Sequence, residues 1–159
     1  MRPFLPAICA LAVFVCLTSV ASASGASGLA RYLTSDTDRV ELENGHGEAA
    51  LTARGAMFGY VRRGSVRIVD LRRGPDTVIS VDGAENERKI NNRITVYRGR
   101  RISFYVEKGW WKVRIQGHNI DAGAAVHGRL ALKGRSGTFA LRDGKPRDWP
   151  RHRRVFRLG

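Results

Sequence analysis

The chain has 159 residues, with 28 Lys+Arg against 14 Asp+Glu and a formal charge of +14. That is one domain's worth of sequence, too short for a multidomain enzyme and too basic for an acidic solvating tail, and its charge directs attention to anionic partners. Both cysteines, Cys9 and Cys16, lie near the N-terminus, so beyond residue 23 no thiol is present for a disulfide, a Cys-ligated metal or a cysteine nucleophile.

Arg2 precedes the apolar run Ala7 to Leu17, which leads into Ala21-Ser22-Ala23. A positive start, a short apolar region and an A-x-A site make residues 1–23 a secretory signal peptide, and the run falls short of the roughly 18 residues a spanning helix needs. The mature protein is therefore expected outside the cell or at its surface, with no transmembrane segment. Residues 24–38 read as a flexible lead-in, 39–142 as the folded domain, and 143–159 as a basic C-terminal segment that closes on it.

Period 2 governs the domain. Strands are expected at Val40 to Glu43, Ala49 to Ala53, Val66 to Ile68, Thr77 to Val81 and Ile94 to Val96, then at Ile102 to Val106, Trp111 to Ile115, Arg129 to Lys133, Thr138 to Arg142 and Arg153 to Leu158. Each alternates apolar with polar residues and so has one face to bury. The fold class is all-β: a single antiparallel sandwich or barrel of short, hairpin-connected strands. Asp82 to Asn92 lacks the alternation and reads as a polar loop, with a helical turn at Ala84 to Lys89.

Arg54-Gly55, Arg63-Gly64, Arg98-Gly99 and Lys108-Gly109 separate apolar runs and are expected to be hairpin turns. Tyr60 to Ile68 matches Tyr105 to Val113 in residue type at a spacing of 45 residues. Either the domain holds two copies of a three-stranded meander, roughly 47–83 and 92–128, or the match reflects the likeness of all hairpins.

No catalytic or metal motif stands out. His118, Asp121 and His127 are the only cluster a metal or general base could use, and the serines have no base nearby in sequence. Glu41 and Glu43 share a strand face, the one pairing that a glycosidase could exploit, but with so many cations available a solvated or salt-bridged face is the simpler reading. No cofactor and no metal is expected, and no enzyme is needed to explain the chain.

The basic surface is the strongest feature. Arg63, Arg67, Arg98, Arg101, Lys112 and Arg114 recur on polar strand sides and at turns, and the tail adds Arg151, Arg153 and Arg154 beside Trp149. Aligned across a sheet they would form a positive stripe for a polyanion, with arginine forks matching phosphate or carboxylate. In Trp110-Trp111 the two rings must face opposite sides, Trp111 inward and Trp110 outward as a stacking surface near Tyr105. Trp149 either docks as a plug or stacks on a ligand.

Arginine-rich, glycine-punctuated strands behind an export leader resemble the secreted β-rich proteins of GC-rich bacteria. The resemblance implies export and a β fold and brings no activity with it. Two functions follow: a binding or envelope-associated module for an anionic polymer (wall polymer, acidic polysaccharide or nucleic acid), or a structural, protein-interaction module of the envelope whose charge is incidental. A secreted hydrolase is the remaining alternative.

Overall fold

A computed structural model describes residues 37–72 and 77–159; the expected signal peptide and nearly all of the lead-in lie outside them. Five strands, β1 (Asp38–Asp70), β2 (Val78–Asn91), β3 (Ile94–Leu141), β4 (Arg147–Asp148) and β5 (Arg154–Leu158), form one antiparallel sheet. It runs from β2 at one edge to β4 and β5 at the other and does not close into a barrel. No helix among the described residues is long and apolar enough to cross a membrane.

β1 and β3 are far longer than ordinary strands because they bend repeatedly. Ala49 pairs with Ile115 on one side and Leu132 on the other, 17 residues apart, and Met57 pairs with both Val106 and Ala124, 18 apart. A strand flanked at intervals of 17 or 18 residues by the same partner strand belongs to a ribbon that has turned once around and paired with itself. The β1–β3 ribbon thus crosses back and forth between two layers. Layer 1 holds 78–82, 100–107, 56–63, 118–126, 38–45, 136–141 and 147–148; layer 2 holds 84–91, 94–99, 64–70, 110–117, 47–54, 127–134 and 154–158.

The layers meet along two creases. At one, Gly99, Gly64, Gly117, Gly47 and Gly134 are consecutive cross-strand neighbours. A Cβ built on Gly64 would stand 2.1 Å from the Gln116 carbonyl oxygen, and one on Gly117 2.4 Å from that of Arg63, so the backbones approach too closely for any side chain. Asn44, Arg101 and Asn119, with φ of 50°, 59° and 50°, lie on the same crease and shift the alternation by one residue. Buried positions accordingly change from 40 and 42 to 49, 51 and 53 along β1. The second crease passes through Gly55, Lys108-Gly109 and Gly128.

The Arg-Gly and Lys-Gly pairs are therefore bends inside continuous strands, and the chain is not a meander of short hairpins. A residue that allows a reversal also allows a fold-over, and the pairing alone distinguishes them. The matching stretches Tyr60 to Ile68 and Tyr105 to Val113 both pass from layer 1 to layer 2, but across opposite creases, at Gly64 on the first and Gly109 on the second. The stretch 82–92 is strand for most of its length: beyond Val81, which packs against the core, β2 is largely solvated along an edge, so it needs no apolar alternation. Among the described residues, the tight reversal between long strands is at Asn92-Arg93, where Asn91 Oδ1 accepts the Arg93 N–H at 2.9 Å.

One core lies between the layers. Val40, Leu42, Phe104, Val106, Ile120 and Phe139 enter it from layer 1, and Leu51, Val66, Ile68, Trp111, Val113, Ile115, Leu130 and Leu132 from layer 2. Trp111 is fully buried, as its register requires, and its indole N–H donates to the Gly55 carbonyl at 3.3 Å. The C-terminal segment closes the β4–β5 end. Trp149 is 4% exposed, lies over Gly45 and Gly134, and donates its indole N–H to the Thr138 carbonyl at 2.9 Å.

Candidate functional site

With alternate residues of layer 2 in the core, the others stand on its outer face. Two adjacent rows cross that face strand by strand: Arg67, Arg114, Ala50, Ala131 and Val155, then Lys112, Thr52, Arg129 and Arg157. The first row runs from the two arginines Arg67 and Arg114 to the small Ala50, Ala131 and Val155, and in the second only Thr52 interrupts the cations. The result is a groove of about 1010 Å³, floored by Ala50, Thr52, Gly128 and Ala131 and walled by Lys112, Arg114, Arg129, Arg153 and Arg157, with Trp110 and His127 at one end.

Glu48 is the one acidic side chain lining this groove. Its Oε2 accepts from Arg114 at 2.8 Å and from the Gln116 amide at 2.9 Å. Burial works against the Glu48 charge, but those two hydrogen bonds and the charges of Arg114 and Arg153 outweigh it and hold the carboxyl below its ordinary value. The same contact pushes the Arg114 guanidinium up, against the effect of burial. Lys112, Arg129, Arg153 and Arg157 make no close ion pair among the described residues, although the Arg153 charge acts on Glu48 from farther off.

Of the residues expected to bind a ligand, Trp110, Lys112, Arg114 and Arg153 meet in this groove. Arg67 stands beside Arg114 across the strand pair, its Nε shielded from solvent without an acceptor. Arg98 lies on the same face, separated from Gln116 by Ser65. Arg151 lines a second depression of about 610 Å³ that shares Glu48 and continues over the glycine crease past His46, His118, Lys133 and Arg135. Arg63 lines a third, of about 370 Å³, with Arg62 and Arg100.

Three expectations place differently. Arg101 sits on the crease toward layer 1. Arg154 pairs with Leu132 and by alternation points to the opposite side of β5 from Arg153. Trp149 is a buried plug and offers no stacking surface. Arg129 joins the groove without being among the expected ligand residues, though the period that puts Leu130 and Leu132 inward puts Arg129 outward; Arg157, one of the tail cations, shares a side with Arg153.

The candidate cluster of His118, Asp121 and His127 does not assemble. His118 stacks on His46 at the glycine crease, ring centroids 3.8 Å apart, whereas His127 pairs with Arg54 at the other crease. The Asp121 carboxylate accepts the Asn44 N–H at 2.8 Å. Among the described residues no three His, Cys, Asp or Glu side chains are grouped to hold a metal ion.

The outer face of layer 1 has the opposite charge. Its outward positions include Glu41, Glu43, Asp82, Glu107, Asp121 and Asp148, with Arg39 beside them in an ion pair to Glu41. Phe58 covers a small apolar cluster of Ala56 and Ala125 there, separate from the main core, and Tyr60 and Tyr105 stand half-buried alongside. Cations thus predominate on the outer face of layer 2, where Glu48 is an exception, and carboxylates on that of layer 1, where Arg39 and Arg62 are exceptions. Comparison with known protein families, with curated proteins and with solved structures finds no match to this chain.

Proposed function

We propose that this protein is a non-enzymatic binding module for an anionic polymer, exported from the cell and acting at or beyond its surface. The groove on the outer face of layer 2 carries the reading. A floor of alanine, glycine and threonine lets a chain lie close to the sheet, and cations on both sides meet its charges, the one acidic side chain there, Glu48, being already held by Arg114 and Gln116. Held on paired strands, these side chains are positioned by a rigid scaffold rather than a loop. Trp110 adds a face on which a sugar ring or base can stack. The export leader pattern supports the extracellular setting.

Binding of purified protein to polygalacturonate, polyphosphate and duplex DNA across a salt series tests it. With four unpaired cations in the groove, the log-log slope on DNA should be about −3 to −4, at roughly −0.9 per neutralised phosphate. Arg129→Glu with Arg157→Glu should flatten that slope by about 2. Absence of binding to all three polymers at about 50 mM salt, or an unchanged slope in the double variant, overturns the proposal.

A further inference from the structure

The acidic face is unexpected in so basic a chain, and the polymer reading gives it no role. Glu41, Glu43, Asp121 and Glu107 are brought together from three separate strand segments of layer 1, so the patch exists only in the folded sheet. It surrounds an aromatic shelf formed by Phe58 and Tyr60. Among the described residues, the surface complementary to it in both charge and relief is the outer face of layer 2. That face is basic, and its central groove is floored by small residues that can receive aromatic side chains.

We propose that layer 1 of one copy docks on layer 2 of a second copy, so that copies associate head to tail. Seven strand positions about 4.8 Å apart and some seven residues at about 3.3 Å give a face of roughly 650 Å² in projection. That approaches the ~800 Å² per partner of a standard interface. The two contacting patches differ, so the interface is heterologous and leaves one acidic and one basic face free at the ends of every assembly. The net charge of each copy is positive and repels at long range, but at physiological salt, where screening acts beyond about 8 Å, contact between opposite faces dominates.

Sedimentation velocity on purified protein tests this. At 0.15 M salt the sedimentation coefficient should rise with protein concentration, and at 1 M salt it should stay at the monomer value. Glu41→Lys with Glu43→Lys reverses the acidic face, and Arg129→Glu with Arg157→Glu reverses the basic one. Each double variant alone should associate at least about tenfold more weakly, since like charges then meet across the interface. Mixed one to one, the two variants restore opposite charges across the contact, intact face to intact face and reversed face to reversed face, so association should return. An unfolded variant would fail in the mixture as well as alone, so thermal unfolding of each is recorded alongside. A wild type that remains monomeric at about 100 μM, an acidic-face variant that associates like wild type, or a folded pair that does not combine would each overturn the proposal. The acidic-face variant should keep its polymer-binding slope, so failure here leaves the groove's function standing.

Discussion

Asp38, the first residue of β1, accepts the backbone N–H of Gly159, the last residue of the sequence, at 2.8 Å on its Oδ2. Its Oδ1 accepts from Arg142 Nε at 2.9 Å. One carboxylate therefore joins the start of β1 to the end of β3 and to the residue that follows β5. Burial works against the charge, but the hydrogen bonds from Arg142 and Gly159 and the neighbouring positive charge outweigh it and hold this carboxyl below its ordinary 3.8.

A depressed folded pKa stabilises the protein above the unfolded value and ceases to do so as pH falls through the folded one. We expect Asp38→Asn to lower stability at pH 7 by about 1–2 kcal/mol, the scale of hydrogen bonds to a charged group. The difference from wild type should shrink as pH falls below about 4. Urea midpoints at pH 7 and pH 3 decide it, and a difference that grows in acid would contradict the assignment.

The glycine crease should tolerate no side chain. Gly64→Ala must place its Cβ against the Gln116 carbonyl, so the paired backbones have to separate. We expect a loss of about 2 kcal/mol or more, seen as a thermal midpoint lowered by roughly 8 °C or more. Ser103→Ala, on the outer face of layer 1, should stay within about 0.5 kcal/mol. Equal behaviour of the two would mean that the crease is looser than its geometry implies.

Trp149→Ala should remove the plug over Gly45 and Gly134 and cost about 3–5 kcal/mol, as truncation of a buried tryptophan does. Trp149→Phe restores most of the packing but leaves the Thr138 carbonyl without its donor, and about 1–2 kcal/mol of loss should remain. Denaturant titration of both variants separates packing from hydrogen bonding.

Trp110→Ala should leave stability nearly unchanged and weaken binding selectively. Polygalacturonate and single-stranded DNA, which present rings, should lose about 1–3 kcal/mol of affinity, and polyphosphate, which presents none, close to nothing. Isothermal titration with the three polymers at one salt concentration measures this. Uniform weakening across them would remove stacking from the account.

The sequence carried the β character, the inward Trp111 and the closing strand at 154–158, because strict alternation declares a half-buried strand without reference to its partner. It also carried half of the groove: Lys112 and Arg114 follow from the same register that buries Val113 and Ile115. What it withheld was pairing. Arg54-Gly55 and Arg63-Gly64 satisfy a hairpin and a crease equally well, and only the double partnership of Arg54 with Trp110 and His127 distinguishes them. Of the edge strand only 78–81 was legible; 82–91 was hidden for a different reason, since residues solvated on both sides have no periodicity to show. The opposed faces were legible only once the shifts at Asn44, Arg101 and Asn119 had reset the alternation.

The winding of β1 on β3 also constrains the order of events during folding. Asn91 and Ile94 can meet at once, and Val69 can reach Ile94 soon after, but Val40 finds its partners only at Ala124 and Leu141. Pairings so distant in sequence close large loops before they gain any contact energy, which places this domain among slow folders, on the order of milliseconds to seconds. The segment synthesised first is thus the segment placed last. During synthesis the residues from 38 onward must wait, unpaired and rich in strand-forming side chains, until the last third of the chain is available.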